Sequence, residues 1–168
     1  MTEARLAGTL SLVDGRGVVH VEDVYATEID DVWSALTDPK RLARWLVEVA
    51  GELRLGGVFD ARFTSGWEGS GRIDVCEPPF RLLATMNAGL DDETVIEAVL
   101  SVEVAGTRLV IEERGLPTED LPGHGAGWQA HLEDLATYLS GGEPGAWHAR
   151  WLELMPAYEE LAPSVSPS

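Results

Sequence analysis

The chain has 168 residues, enough for one domain with a real core, and its 45% hydrophobic and 24% charged content is ordinary for a globular protein. Its 12 Lys and Arg against 29 Asp and Glu, a formal charge of −17, are not ordinary, and they exclude a phosphate-binding track, so neither nucleic acid nor an anionic membrane is expected as a partner. The single cysteine, Cys76, excludes an intramolecular disulfide and a thiolate metal cluster, and its strand-like setting reads as a small buried hydrophobe.

Glu3 stands where a signal peptide would be basic, and no apolar run approaches the roughly 18 residues of a membrane span. A cytoplasmic protein without membrane insertion is expected. Residues 5–13 predict a strand, with Leu10 and Leu12 alternating against Thr9 and Ser11. Asp14-Gly15 is a hairpin signal, and residues 18–26 form the returning strand. Thr27 predicts a helix cap with Asp30 as the capping-box acid, and Ile29, Val32, Trp33 and Leu36 share one apolar face. Asp38-Pro39 restarts the helix as N-cap and first position. Leu42, Trp45 and Leu46 make its buried stripe, with Lys40, Arg41 and Arg44 facing solvent.

From Val47 the apolar period changes to two. About six strands are expected from Val47 to Arg114, joined by short turns that favour an antiparallel meander. Phe59, Ala61 and Phe63 share one face of the second of these, and Leu82, Ala84 and Met86 one face of a later one. In the last strand Leu109, Ile111 and Glu113 point one way, and Val110, Glu112 and Arg114 the other. Residues 115–127, with four glycines and two prolines, predict a loop. Residues 127–139 predict a helix, with Trp128, Leu132, Leu135 and Leu139 on one stripe and Gly141-Gly142 as its stop. A further helix is expected from about Pro144 to Leu161, carrying Trp147, Trp151, Leu154 and Tyr158 on one face. That stripe is too aromatic for water, so it packs on its own domain or on a second copy in a homodimer. The organisation expected is a domain over residues 1–142, a helical extension over 143–162 and a disordered Pro/Ser-rich tail over 163–168.

A long amphipathic helix after a run of strands needs a sheet to lie on. The fold class is therefore α+β, a curved antiparallel sheet wrapped around the long C-terminal helix with a cavity between them. The order of elements resembles the helix-grip fold of the START-like (SRPBCC) superfamily, which includes the birch pollen allergen and polyketide cyclases. Within it, VWSALTDPKRLARWL at residues 32–46 is similar to the signature of the family named for the activator of the 90-kDa heat-shock protein ATPase. Leu55-Gly56-Gly57, Glu77-Pro78-Pro79 before Phe80-Arg81-Leu82, and Gly127-Trp128 with leucines at 132 and 135 complete the resemblance, which spans roughly Leu10 to Leu139. It implies the fold, two short helices after the first long strand, and a cavity that in some relatives holds lipids, isoprenoids, flavonoids or polyketides. The co-chaperone of that family has an additional N-terminal domain that nothing before Leu10 supplies, so chaperone binding is not expected.

Glu112 and Glu113 are neighbours on a strand, point to opposite faces and cannot act as one acid–base pair. Glu113 points to the cavity, where a buried carboxylate needs a partner or a wet mouth. Arg62 alternates away, which leaves His131 as the expected partner. His124 and His131 with Glu113 would be the minimum for a metal site, but the surrounding glycines place His124 in the loop, so no metal is expected. Gly123 to Gly127 resembles a phosphate-cradling loop without the Lys-Ser/Thr pair of a P-loop, and reads as a flexible hinge at the cavity mouth.

The expected function is to hold a small hydrophobic molecule, lipid-like or polyketide-like, with no cofactor. Trp128, Leu132 and Leu135 would form the floor, and Phe59, Phe63, Met86, Ile96, Leu100 and Ile111 the wall. Trp33 and Trp67 would stand at the mouth, and Glu113 with His131 would supply polarity. The alternatives are a cyclase or dehydratase using Glu113 or His131 for proton transfer, and a co-chaperone-like interaction module.

Overall fold

The structure is a computed structural model that describes residues 6–163. Residues 1–5 and the tail past Pro163, including the part expected to be disordered, lie outside the described residues. The chain begins with the strands β1 (Gly8–Val13) and β2 (Arg16–Tyr25). Asp14 and Gly15 both have positive φ, 52° and 77°, the geometry of the tight hairpin turn that Asp-Gly favours. Two short helices follow, α1 (Ile29–Thr37) and α2 (Pro39–Trp45). Asp38 caps α2 by accepting from the Lys40 N–H at 3.0 Å, and Pro39 occupies its first position.

Two local expectations are corrected. Thr27 does not cap α1. The N-cap residue is Glu28, and Thr27 Oγ1 instead donates to Asp31 Oδ2 at 2.7 Å. Arg41 is not a solvent residue. Its guanidinium is half-buried, donates to the Tyr138 hydroxyl at 3.0 Å and pairs with Asp31 at 2.9 Å, tying α2 to the long helix.

The strands β3 (Val47–Gly51), β4 (Val58–Phe63), β5 (Glu68–Glu77), β6 (Arg81–Met86), β7 (Thr94–Glu103) and β8 (Gly106–Leu116) form the meander. With β1 and β2 they make one antiparallel sheet in the order β1-β2-β8-β7-β6-β5-β4-β3. The excursion through α1 and α2 carries the chain from one end of the sheet to the other, so that β2 ends up beside β8. A register shift between Ile73 and Val75 bends β5, so Ile73 is buried while Val75 and Cys76 are only half-buried.

After a single 3₁₀ turn (Thr118–Asp120), the long helix α3 (Leu121–Leu139) lies in the curve of the sheet, and α4 (Trp147–Leu161) packs on α3. Val19, Val21, Phe59, Ile73, Leu100, Leu109 and Ile111 from the sheet meet Leu132 and Leu135 of α3 in one core cluster. Tyr25 fastens the two layers by donating from its hydroxyl to the Leu132 carbonyl at 3.0 Å.

Candidate functional site

The glycines of residues 123–127 lie inside α3 and not in a loop. Glycine costs a helix about 1 kcal/mol per residue against alanine, which is why local reading ends the helix there. The contacts with α4 override that cost. A Cβ on Gly125 would meet Tyr158 Cδ1 at 2.6 Å and Leu10 Cδ2 at 2.9 Å, and one on Gly127 would meet Trp147 Cζ2 at 3.2 Å. Two indoles close the contact, Trp151 Nε1 donating to the Gly123 carbonyl at 2.9 Å and Trp147 Nε1 to the Gly127 carbonyl at 3.2 Å. Gly123 and Gly127 are four apart, as are Trp147 and Trp151, so two helical ridges meet with matching period. That shared spacing was a signal available in the sequence. The stretch is a packing surface, not a hinge.

Extending α3 back to Leu121 brings His124 onto the helix, about two turns before His131 and on the same face. Glu113, 5% exposed, is then held by three donors. His124 Nδ1 lies 2.8 Å from its Oε1, Trp128 Nε1 donates to the same oxygen at 2.9 Å, and Thr94 Oγ1 donates to Oε2 at 3.0 Å. The expected partner of Glu113 was His131, and the structure corrects this to His124. A carboxylate can only accept, so Nδ1 of His124 carries the hydrogen. Burial pushes Glu113 toward its neutral form, but the His124 hydrogen bond and charge, with Trp128 and Thr94, outweigh it and lower its pKa. Burial likewise works against charge on His124, and the Glu113 hydrogen bond and charge outweigh it and raise its pKa. Glu112, its sequence neighbour, lies on the outer face and pairs with Arg114 at 2.9 Å. Arg62 also faces outward and pairs with Glu68 at 2.9 Å.

His131 is a different kind of histidine. It is 4% exposed, and burial brings its pKa down to about 3, so it is neutral at ordinary pH. Its ring stacks on Trp147 at 5.2 Å and meets Trp128 edge-on at 5.5 Å, and Nδ1 lies 3.4 Å from Thr64 Oγ1.

These groups border a cavity of about 830 Å³ between the β4–β8 part of the sheet, the first half of α3 and the indole face of α4. Phe63, Trp67, Met86, Ile96, Glu113, Trp128 and His131 line it, joined by His124, Trp147, Trp151 and Met155. Phe63 and Trp67 pack edge-to-face at 5.5 Å on one wall. The other expected ligand contacts are placed elsewhere. Phe59, Leu100, Ile111, Leu132 and Leu135 are packed in the core, and Trp33 lies against that core from α1, off the cavity. The α3 residues that border the cavity all lie in its first half, from Leu121 to His131, and none beyond His131 lines it. Trp128 therefore both fills and lines, its indole N–H fixed to Glu113 and its ring at the cavity wall.

Residues 26–140 match the family model described as activator of Hsp90 ATPase homolog 1-like protein. The chain belongs to this family. Glu113, His124, Trp128 and His131 all fall inside the matched stretch, whereas Trp147 and Trp151 lie beyond it. Among solved structures of the same fold, this member of the Hsp90 ATPase activator homolog family is similar to CalU16 from Micromonospora echinospora. The two are 30% identical over 95% of this chain and 98% of that one, with a TM-score of 0.78. It is also similar to DynU16, a protein of the dynemicin biosynthetic locus, at 28% identity over 76% of this chain and 48% of that one, with a TM-score of 0.69. A third is the protein encoded by BPP1335 from Bordetella parapertussis, 25% identical over 95% of this chain and 89% of that one, with a TM-score of 0.70. No curated protein matches the chain. Among the described residues no helix is long and apolar enough to cross a membrane, and no cluster of three or more His, Cys, Asp or Glu is arranged to hold a metal.

Proposed function

We propose that the chain binds a small hydrophobic molecule, polyketide-like or lipid-like, in the cavity between the sheet and α3. The observation that carries this is the cavity itself: about 830 Å³, walled by Phe63, Trp67, Met86, Ile96, Trp128 and the two indoles of α4. Volumes of this size are those of small-molecule sites, which are mostly apolar with a few convergent polar groups. The convergent groups here are the Glu113–His124 pair and neutral His131. The similarity to a protein of the dynemicin biosynthetic locus supports a ligand from natural-product chemistry. The test is native mass spectrometry of the purified chain, with titration of the neutral dye N-phenyl-1-naphthylamine followed by quenching of tryptophan emission. A co-purifying mass or saturable quenching is expected. No ligand mass and no saturable quenching would sink the reading.

One observation favours a second reading, an enzyme that moves a proton on the bound molecule. With Nδ1–H of His124 committed to Glu113, Nε2 is the ring atom left to exchange a proton, and His124 borders the cavity. This is the arrangement of an oriented proton-transfer group, an acid when the ring is charged and a base when it is neutral. Glu113, lowered in pKa and held by three donors, and His131, at about 3, are both poor bases at neutral pH. His131 suits a different role, a neutral hydrogen-bond donor to oxygen. In this reading His124→Gln abolishes turnover and leaves binding in place. Turnover retained in that variant would exclude it.

A further inference from the structure

We propose that the cavity selects hydrophobic molecules that carry a basic nitrogen, and discriminates against carboxylates and phosphates of the same skeleton. This rests on the reading that the cavity binds a small molecule, and deepens it by naming the charge of that molecule.

The cavity border carries carboxylates from four parts of the chain. Asp92 comes from the β6–β7 turn, Glu113 from β8, Glu119 and Asp120 from the 3₁₀ turn, and Glu159 from α4. Among the described residues no lysine or arginine borders it. Four arginines are engaged elsewhere: Arg81 and Arg114 with Glu97, Arg108 with Glu22 and Glu103, Arg150 with Glu133. Within the border, Glu113 is paired with His124 at 2.8 Å, and Asp92 accepts from Asn87 Nδ2 at 2.9 Å. Glu119, Asp120 and Glu159 are exposed, and among the described residues none of them is in an ion pair with a Lys or Arg. A ligand anion entering here is repelled by these three carboxylates, and of the three border histidines His131 is neutral, His124 is already paired with Glu113, and His148 stacks on Trp151. A ligand cation meets the reverse.

The aromatic walls point the same way by an independent route. An indole offers a ligand two things, its N–H and its π face. The N–H groups of Trp128, Trp147 and Trp151 are each already donated within the protein, to Glu113, to the Gly127 carbonyl and to the Gly123 carbonyl. They are therefore not available to grip a ligand oxyanion. What remains is the ring surface, and the negative face of an indole attracts cations. Trp147 and Trp151 stack on each other at 6.1 Å and 20°, with His131 on Trp147 at 5.2 Å and His148 on Trp151 at 5.6 Å, so the aromatic rings that border the cavity outside this stack are those of Phe63, Trp67 and Trp128. The formal charge of −17 on the whole chain adds attraction for cations from a distance.

The experiment compares three probes on one skeleton: 9-anthracenylmethylamine, 9-anthracenemethanol and anthracene-9-carboxylate. Affinities for the full chain are measured by calorimetry and by quenching of tryptophan emission at neutral pH and low salt. The amine is expected to bind roughly tenfold or more tightly than the alcohol, and the alcohol more tightly than the carboxylate. High salt narrows that order. The triple variant Glu119→Gln, Asp120→Asn, Glu159→Gln brings the amine down toward the alcohol. If the alcohol binds and the amine is no tighter, or the carboxylate matches it, the charge preference is overturned while the binding cavity stands. If the amine keeps its full advantage in the triple variant, the assignment to these carboxylates is overturned. If none of the three binds and N-phenyl-1-naphthylamine also fails, the cavity reading falls and this inference with it.

Discussion

Replacing His124 with alanine leaves the Glu113 carboxylate, 5% exposed, with only Trp128 and Thr94 as donors. Breaking a buried pair by removing one partner costs about 3–5 kcal/mol, because an uncompensated charge stays behind. Two hydrogen bonds remain, and the His124 side chain is 35% exposed, so solvent screens the pair and the expected cost is nearer about 2–3 kcal/mol. Glu113→Gln is gentler. The amide still accepts from Trp128, His124 becomes neutral, and the cost is about 1–2 kcal/mol. In the double variant the stranded charge is absent, so the two losses fall short of additive by about 1.5–2.5 kcal/mol. The pH dependence has a definite sign. Folding raises His124 above its ordinary 6.5, so its contribution is complete below pH 6.5 and is lost as pH rises through the raised value. Folding lowers Glu113 below its ordinary 4.5, so its contribution is complete above pH 4.5 and is lost as pH falls through the lowered value. The coupling is therefore largest between pH 4.5 and 6.5 and fades on both sides. Urea unfolding followed by tryptophan fluorescence, repeated across pH for the four proteins, measures it. Additivity within about 0.5 kcal/mol in that window, or Glu113→Gln costing more than His124→Ala, refutes the buried charged pair.

Gly125→Ala gains about 1 kcal/mol of helix propensity but drives a methyl into Tyr158 and Leu10, so a net loss of about 1–2 kcal/mol is expected in urea unfolding. A gain in stability would show that α3 and α4 are not in close contact there. Leu154→Ala removes a side chain with 0% exposure from the α3–α4 cluster and is expected to cost about 2–4 kcal/mol, with faster amide exchange in α4 than in the sheet. Burial and the neighbouring Glu133 raise the Asp134 carboxyl from 3.8 to about 6. Its ionisation therefore opposes folding increasingly as pH rises through that range. Asp134→Asn should raise Tm at pH 7.5 by roughly 1–3 °C, since the site is half-exposed, and bring no gain near pH 3.8. An equal gain at both pH values would rule out ionisation as the cause.

The meander and its inward faces were legible because strand side chains alternate with period two. That rule alone turned Glu113 inward and Glu112 outward. The α2 cap was equally local, since Asp38 and Pro39 act on the first turn beside them. Arg41 was misread because its partner Tyr138 is nearly a hundred positions away in the chain. The cavity lining was half legible. Periodicity identifies an inward face but not whether a helix covers it, so Leu100 and Ile111 read the same as Met86 and Ile96.

The sequence by itself determined the strands of the meander, the α+β class and the inward or outward direction of most strand residues, which follow from short-range periodicity and turn chemistry, and its motifs carried the family resemblance. Only the tertiary structure decided that Gly123 to Gly127 is helix, because its reason is the approach of α4 from some 20–30 positions further on. That decision carries the site with it. Once the helix starts at Leu121, His124 reaches Glu113, Trp128 anchors beside it, and His131 is left neutral among aromatic rings. A partner chosen by packing two helices and a sheet together has no local signature, and here that partner is the polar centre of the cavity.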